Sequence, residues 1–295
     1  MDLVRSFLFT NYYLLFTITN MNIDGKKIAQ EILDGLKTDL AKLEFKPKLI
    51  DVLVGEDQVV ETYVRIKAKR AEEIGVDFEL RRFPADISQE QLEKEVVALN
   101  ATPNLCGLII QLPLPENLDR QKILDKIDPR FDVDVITSTN LGSLFTGRQF
   151  FIPATAAAII HIIDYEKILL EGKSVLMVGA GDLVGKPVTF LLMQRHATTT
   201  IANAATRNLK ELALNADIII SGTGVPKLIT GDMVKNGAVI IDAGTAESAG
   251  GIGGDVDFDA VAPKASLITP VPGGVGPVTV AMLLYNTVQS AKRLK

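Results

Sequence analysis

Short β-branched runs alternate with longer segments of helical periodicity from Asn22 onward, and this alternation restricts the fold more than any other feature. The first helical pattern covers about 24–44, where apolar residues recur at every third or fourth position. A run at 49–54, ended by Gly55, predicts a strand, and Ser88 with Gln91 three residues later is a capping box that opens a helix through Leu99. Further helix and strand patterns follow in turn, with strands expected at 174–178, 198–202 and 267–268. Strands that are separated by helices form parallel sheets with helices on both faces. The expected fold class is therefore α/β.

The length of 295 residues is sufficient for two domains with separate cores. We expect the boundary near 145–153, which gives one domain over 21–148 and a second over 149–274. The net charge of −5 argues against a nucleic-acid partner. A single cysteine, Cys106, excludes an internal disulfide and suits a reducing cytosol. Two histidines are too few for a His-rich metal site, and no metal is expected.

The first 20 residues differ in character from the rest of the chain. Their apolar, aromatic stretch is shorter than the roughly 20 residues of a membrane span. Only Arg5 precedes that stretch as a basic residue, and no small-residue cleavage site follows it. We interpret residues 1–20 as an extension upstream of the natural start, with Met21 opening the globular pattern. A membrane anchor or a signal segment is the alternative.

A glycine turn lies between the predicted strand 174–178 and a predicted helix. Gly179, Gly181 and Gly185 let backbone N–H groups and the helix N-terminus face a pyrophosphate. The spacing is one residue longer than the usual dinucleotide fingerprint, so a ligand-free turn is the alternative. Neither Asp nor Glu ends the next strand, where a carboxylate would repel the 2′-phosphate of NADP, so NADP is permitted. Arg207 is a candidate partner for that phosphate or a solvated side chain.

Tyr63 and Lys67 are four residues apart on a predicted helix and therefore share one face. That helix begins at the carboxyl edge of a strand, where open α/β sheets bind ligands, and Gln111 ends another strand at the same edge. A lysine partly removed from water there can exchange protons with a substrate. Alternation places Asp132 and Asp134 on one side of an extended segment. By themselves, a solvated pair and a solvated acidic turn are the simpler interpretations.

The segment 269–279 contains three prolines and three glycines. Proline fixes φ and lacks a backbone donor, whereas glycine permits conformations that a side chain forbids. We expect a rigid loop that does not begin the next helix early and whose bare backbone approaches a flat ligand. A tight turn before the last helix is the alternative.

Six segments that follow one another in a fixed order carry a family resemblance. They are Tyr63-Val64-Arg65-Ile66-Lys67, Gly107-Leu108-Ile109-Ile110-Gln111-Leu112-Pro113-Leu114-Pro115, Asp132-Val133-Asp134, Val184-Gly185-Lys186-Pro187, Gly254-Asp255-Val256-Asp257-Phe258 and the proline–glycine loop. In order and spacing they closely resemble the bifunctional methylenetetrahydrofolate dehydrogenase/methenyltetrahydrofolate cyclohydrolase family. The similarity covers about 22–294, which is nearly the whole chain.

The resemblance implies a folate domain over 21–148, completed by the last helix at 275–295, and a Rossmann-type NAD(P) domain over 149–274, with the folate in the cleft between them. Lys67 matches the family's catalytic lysine, Tyr63 its stacking tyrosine, and Gln111 the glutamine that tunes the lysine. The implied substrate-binding residues are Tyr63, Gln111, Leu112, Pro113, Asp134 (the pterin anchor), Gly273 and Gly274. The implied cofactor-binding residues are Gly179, Ala180, Gly181, Val184, Gly185, Ala204 and Thr245.

The implied reactions are oxidation of 5,10-methylenetetrahydrofolate with NAD(P)⁺ and hydrolysis of the methenyl product to 10-formyltetrahydrofolate. The family's role lies in one-carbon metabolism for purine, methionine and histidine biosynthesis, in a cytoplasmic homodimer without nucleic-acid or membrane partners.

Departures from the family pattern gather around the cofactor. Ala180-Gly181 replaces an Arg-Ser pair, which leaves NAD open beside NADP. Ala202-Asn203-Ala204 replaces Cys-His-Ser, and Gly244-Thr245-Ala246 replaces Gly-Ile-Asn. Nearer the folate, Val60 stands where the family has serine, and Asp132-Val133-Asp134 lacks its flanking lysine and glycine. The alternatives are a cyclohydrolase with weak or lost dehydrogenase activity, a non-catalytic folate- or nucleotide-binding homologue, and an unrelated shikimate-type dehydrogenase.

Overall fold

The structure is a computed structural model that describes residues 21–248 and 251–294. The segment 1–20, interpreted above as an extension, lies outside the described residues. In chain order the described elements are β1 (Met21–Asn22), α1 (Gly25–Leu40), β2 (Lys48–Val54), α2 (Gln58–Ile74), β3 (Asp77–Phe83), α3 (Gln89–Leu99), β4 (Leu105–Ile110), α4 (Arg120–Leu124), α5 (Ser138–Phe145), α6 (Ala154–Tyr165), β5 (Ser174–Val178), α7 (Gly185–Gln194), β6 (Thr198–Ala202), α8 (Leu209–Asn215), β7 (Ile218–Ser221), β8 (Val239–Asp242), β9 (Ala246–Ser248), β10 (Gly251–Gly253), α9 (Phe258–Val261), β11 (Leu267–Ile268) and α10 (Val275–Arg293).

The predicted alternation of strands and helices is confirmed, and three predicted strands have the observed bounds. These are β5, β6 and β11. The capping box predicted at Ser88 and Gln91 opens α3, because each side chain accepts a hydrogen bond from the other residue's backbone N–H. Sequence periodicity missed α5, α9 and the short hairpin formed by β9 and β10.

The prediction that the proline–glycine loop would not begin the next helix early is wrong. α10 begins at Val275, inside that loop, and Pro277 lies in its first turn. The first four N–H groups of a helix have no intrahelical partner, so a proline there loses no helical hydrogen bond. The predicted first helix is also shorter than expected, because α1 ends at Leu40.

The smaller sheet contains three parallel strands in the order β3-β2-β4, so β2 is central. The larger sheet has the order β1-β11-β8-β7-β5-β6, and all its pairs are parallel. In both sheets the carboxyl ends of the strands therefore share one edge. The α/β architecture expected from the sequence is observed.

Three helices, α1, α6 and α10, pack against one another between the two sheets. Their apolar side chains form one core that reaches Leu49 of the smaller sheet and Met177 of the larger. The buried amide of Asn286 on α10 donates to the carbonyls of Val133 at 2.8 Å and Ile152 at 2.9 Å. The last helix is thus anchored to the turns beside the smaller sheet. None of the helices in the described part of the chain is long and apolar enough to span a membrane.

Candidate active site

A cavity of about 270 Å³ opens at the carboxyl edge of the smaller sheet, beside the first turn of α6 and the first half of α10. Five of the site residues expected from the sequence line it: Tyr63, Lys67, Gln111, Leu112 and Asp134. These residues lie on α2, just after the end of β4 and in the turn before α5. Residues distant in sequence are therefore gathered around one space of the size that binds small molecules.

Lys67 lies at the wall of this cavity with only 8% of its surface exposed, and it forms an ion pair. Its Nζ is 2.7 Å from Oδ2 of Asp51, a residue with no exposed surface. The Gln111 amide donates to the other carboxylate oxygen, Oδ1, at 2.7 Å. Burial raises the pKa of Asp51, while Lys67 and the Gln111 hydrogen bond act against that rise. Asp51 is therefore held from both oxygens in the protein interior.

Strand alternation explains why Asp51 faces Lys67. Along β2, Ile50 and Val52 join the core on one face of the smaller sheet, whereas Leu49 joins the core shared with the helices. Because side chains alternate, Asp51 shares the face of Leu49, onto which α2 packs Lys67. Sequence analysis missed Asp51 as a site residue. The available signal was a charged residue inside an apolar central strand, since buried charges are almost always paired.

Asp134 and Asp132 do not share one side as alternation would place them, because the segment is a turn and not an extended strand. The fully buried Asp132 carboxylate accepts from the N–H groups of Ile136 and Thr137 and from the Thr137 hydroxyl at 2.7 Å. Asp134 instead lines the cavity. Burial raises the pKa of Asp134 to about 6, against the opposing charge of Lys67.

Several lining residues were not expected from the sequence. They belong to β4, to the start of α6 with its N-cap, to the first half of α10 and to the glycine turn: Ile109, Ile110, Pro153, Ala154, Thr155, Leu183, Thr279, Val280 and Leu283. A run of small residues after a proline, as at Pro153-Ala154-Thr155, is a weak signal for a helix start that approaches a ligand.

Three residues that the resemblance assigned to substrate binding are not among those that line the cavity: Pro113, Gly273 and Gly274. Pro113 is exposed and follows a cis peptide bond. Gly274 packs against Gly25 at the start of α1, where an added Cβ on Gly25 would lie 1.8 Å from the Gly274 carbonyl oxygen. The loop glycines thus serve a close backbone contact between α1 and α10.

The glycine turn after β5 is tightly folded around its own backbone. Gly179 has φ +108°, and a Cβ there would lie 2.6 Å from the carbonyl oxygen of Gly222. A Cβ on Gly185 would lie 2.0 Å from the carbonyl oxygen of Gly179, whereas one on Gly181 would meet nothing within 4 Å. α7 begins at Gly185 without a side-chain cap, and Val184 is its N-cap. The Lys186 N–H at this helix start donates to the Gly181 carbonyl at 3.1 Å, and Pro187 has no N–H, so the positive end of the α7 dipole is the main feature that suits an anionic group.

Ala204 and Thr245 are exposed at the same edge of the larger sheet, after β6 and β8. The loop after β6 is internally bonded: the Asn203 side chain accepts from the Ala205 N–H at 2.9 Å, and Thr206 Oγ1 accepts from the Asn203 N–H at 2.9 Å. Neither bond involves a carboxylate. Ala180, in the preceding turn, is half-buried.

The glycine turn also reaches the cavity. Leu183, which lies in that turn and is 42% exposed, lines the same cavity as Tyr63 and Lys67. Beside it, Asp182 pairs with Arg120 of α4 at 3.1 Å and with Lys186 of α7 at 2.5 Å. Lys186 and then Arg120 lower the pKa of Asp182. A ligand in the turn and one in the cavity would therefore be neighbours.

Two family models match this chain over most of its length. Residues 23–134 match the tetrahydrofolate dehydrogenase/cyclohydrolase catalytic domain, and residues 153–295 match the NAD(P)-binding domain of the same family. The chain belongs to the tetrahydrofolate dehydrogenase/cyclohydrolase family. Its two domain matches correspond to the smaller sheet with the cavity and to the larger sheet with the glycine turn.

Individual members of the tetrahydrofolate dehydrogenase/cyclohydrolase family are similar over almost their whole length. The bifunctional protein FolD of Hydrogenobaculum sp. (strain Y04AAS1) is 45% identical over 276 residues, which are 92% of this chain and 99% of the relative. The crystal structure of the bifunctional enzyme FolD from Campylobacter jejuni has a TM-score of 0.91 at 37% identity, covering 93% of this chain and 99% of that one. The Trypanosoma brucei enzyme, solved with NADP cofactor and inhibitor, has a TM-score of 0.89 at 36% identity, with 93% and 98% covered.

Proposed function

We infer that the protein is a bifunctional enzyme that oxidises 5,10-methylenetetrahydrofolate with NAD(P)⁺ and hydrolyses the methenyl product to 10-formyltetrahydrofolate. One observation carries the proposal: a half-buried tyrosine, a buried lysine, a glutamine and an aspartate line one cavity that the glycine turn also reaches through Leu183. Family membership and relatives named as bifunctional FolD support both activities. This proposed function places the enzyme in one-carbon metabolism.

The folate is proposed to occupy the cavity. Tyr63 would stack on its ring system, and Asp134 would accept hydrogen bonds from the pterin through its carboxylate. Lys67 would transfer protons. Gln111 would fix the surroundings of Lys67, because its amide donates at 2.7 Å to Asp51, the ion-pair partner of Lys67. Leu112 lines the same cavity, and Pro113, Gly273 and Gly274 remain proposed contacts for the rest of the folate, beyond the space that Lys67 and Tyr63 line.

Ring opening requires proton transfer at a fixed place. Water adds to the methenyl carbon, and a base must accept a proton from that water; later an acid must protonate the leaving nitrogen. Lys67 is the group proposed for both steps, because its Nζ lies at the cavity wall and is held at 2.7 Å by a fixed partner. The oxidation step depends on orientation, which the cavity walls supply.

NAD(P)⁺ would supply hydride acceptance when bound, and the glycine turn fits its pyrophosphate because a Cβ at Gly185 would fill the turn. The proposed contacts are Gly179, Ala180, Gly181, Val184, Gly185, Ala204 and Thr245. We propose NADP as the cofactor, since Ala202–Ala205 contains no carboxylate to repel a 2′-phosphate. NAD remains the second candidate, because Ala180 offers no charged partner to that phosphate.

A second candidate function is a cyclohydrolase with weak or lost dehydrogenase activity. The observation that favours it is Asp182, an acidic side chain inside the turn that would receive the pyrophosphate. Its ion pairs with Arg120 and Lys186 reduce the repulsion, so the bifunctional enzyme is preferred. A non-catalytic folate-binding homologue is the third candidate, and the buried Lys67 counts against it.

The proposal includes a cytoplasmic location and a homodimer formed through the larger sheets. It also includes two domains, one formed by residues 21–148 together with 275–295 and the other by residues 149–274. β6 is an edge strand of that sheet among the described residues, and Met193 and Ile201 are exposed near it. An open edge of this kind can pair with a second copy of the chain. Sedimentation velocity would give twice the chain mass if the dimer exists.

One assay separates the three functions. Methenyl-folate absorbance is followed with methylene-folate and NADP, with methylene-folate and NAD, and with methenyl-folate supplied directly. The bifunctional enzyme produces methenyl-folate with at least one cofactor and removes supplied methenyl-folate faster than buffer does. In Lys67→Ala we expect removal to fall to the buffer rate, because the proton-transferring group is gone. Removal of supplied methenyl-folate at the buffer rate by the unsubstituted protein would reject the cyclohydrolase assignment.

A further inference from the structure

The buried pair of Asp51 and Lys67 is the feature that the proposed function leaves unexplained. Proton transfer requires an amine at the cavity wall, but it does not require a carboxylate behind that amine. Asp51 has no exposed surface and lies in the middle of the central strand of the smaller sheet. An apolar residue at this position would carry no electrostatic cost. A buried charge, in contrast, is strongly unfavourable unless it is paired.

The carboxylate of Asp51 is fixed in direction as well as in place. Gln111 Nε2 donates to Oδ1 at 2.7 Å, and Lys67 Nζ lies 2.7 Å from Oδ2. Gln111 and Lys67 both line the cavity, whereas Asp51 lies behind them. The three side chains therefore form a chain of contacts from one lining residue of the cavity, through Asp51 behind the wall, to another lining residue.

Other titratable groups near the amine are few among the described residues of the cavity wall. Tyr63 faces it from α2 and Asp134 from the turn before α5. Asp132 acts on Asp134 by its charge but is bonded to its own turn. The lining residues of α6 and α10 carry no charge: Pro153, Ala154, Thr155, Thr279, Val280 and Leu283. Asp51 is the carboxylate that touches Lys67 directly.

We propose that Asp51 is the fixed counter-ion of Lys67, which holds the ammonium at the cavity wall and sets the pH at which ring opening begins. Asp51 is thus a positioning residue that acts through Lys67, and the inference rests on the proposed function of that lysine. An adjacent anion favours the charged form of an amine. The proposal therefore predicts that ring opening begins at lower pH in a protein that lacks this anion.

Asp51→Asn tests the proposal, since asparagine keeps the shape and can still accept a hydrogen bond but carries no charge. We expect the acid limb of kcat for opening of supplied methenyl-folate to move to lower pH by about one unit or more, a tenfold change in the proton equilibrium. The KM should change less than kcat, because Asp51 does not line the cavity. Asp51→Ser replaces this variant if asparagine does not give folded protein by circular dichroism.

Asp132→Asn is the matched control. Asp132 is an equally buried carboxylate of the same region, but its partners are Ile136, Thr137 and Asn140 and not a lysine. Its replacement is expected to lower the free energy of unfolding and to leave the acid limb in place. A shift of equal size in both variants would overturn the proposal, because the effect would then be general to the region.

A second readout does not depend on the reaction. In the free protein, the labelling of Lys67 by trinitrobenzenesulfonate is measured against pH by peptide mass spectrometry, because only the neutral amine reacts. The labelling profile in Asp51→Asn should move in the same direction as the kinetic limb. An unmoved labelling profile overturns the proposal, with or without a kinetic shift. A moved labelling profile in a protein that opens no methenyl-folate supports the counter-ion and rejects the proposed function instead.

Discussion

Gly185→Ala should separate the two proposed activities, because it acts directly on the glycine turn, which meets the folate cavity only through Leu183 among the described lining residues. The added Cβ would lie 2.0 Å from the carbonyl oxygen of Gly179 and 2.8 Å from its carbonyl carbon. Both are backbone atoms, so no flexible side chain can move aside. Ordinary contact begins near 3.4 Å, and the turn must therefore shift by about 1.4 Å relative to α7.

A shift of that size is large for a site that positions a reacting group. Misplacement by about 1 Å can cost roughly a hundredfold in rate, and overpacking costs about 1–3 kcal/mol of the free energy of unfolding. We expect kcat/KM for the oxidation of methylene-folate to fall by about a hundredfold in Gly185→Ala. The rate at which supplied methenyl-folate is opened should remain within about twofold to threefold, because Lys67 lies on α2 and Asp51 on β2 of the smaller sheet, away from Gly185.

Gly181→Ala is the matched control for stability, since the same methyl group in the same turn meets nothing within 4 Å. Its free energy of unfolding, measured by urea denaturation, should lie within about 0.5 kcal/mol of the unsubstituted protein. The reasoning is refuted if folded Gly185→Ala oxidises methylene-folate at the normal rate. It is equally refuted if both activities fall together while the variant remains folded.

Two further predictions concern binding and stability. Because burial raises the pKa of Asp134 to about 6, its carboxylate is protonated below that pH, and it then loses its charge and can no longer accept the proposed pterin hydrogen bonds with both oxygens. KM for the folate should therefore rise by about tenfold per pH unit as pH falls below 6. Asp134→Asn should give a KM that is high but independent of pH. A parallel pH dependence of KM in both proteins would contradict this reasoning. Ser88→Ala removes the cap of α3 and should lower the free energy of unfolding by about 1 kcal/mol in urea denaturation, whereas Ser143→Ala on exposed α5 provides a control with a smaller loss.

The sequence predicted the secondary structure best where a local physical rule decides it. The bounds of β5, β6 and β11 follow from β-branched runs, and the start of α3 follows from the Ser88 capping box. The start of α10 was predicted wrongly, because the rule that proline breaks helices was applied without the rule that proline is tolerated in the first helical turn. The proline–glycine loop begins α10 at Val275, because a proline in the first helical turn loses no hydrogen bond.

The candidate site divides in the same way. Tyr63 and Lys67 could be paired from their spacing, and Gln111 could be placed at the same sheet edge because parallel strands end together. Asp51 could not be assigned as their partner, since which residue of a buried strand faces a given helix depends on register and packing. The same holds for Pro153 and Thr279, which approach the cavity only because α6 and α10 pack between the sheets.

By itself, the sequence determined the class of fold, the turn that suits a dinucleotide and the residue types available for proton transfer, because periodicity, glycine and side-chain chemistry are local properties. Only the tertiary structure decided that a carboxylate from the centre of β2 meets the amine of Lys67, and that Leu183 lines the cavity of the other domain. Contacts of this kind depend on how strands pair and how helices pack over long separations in sequence, and local patterns carry little information about either.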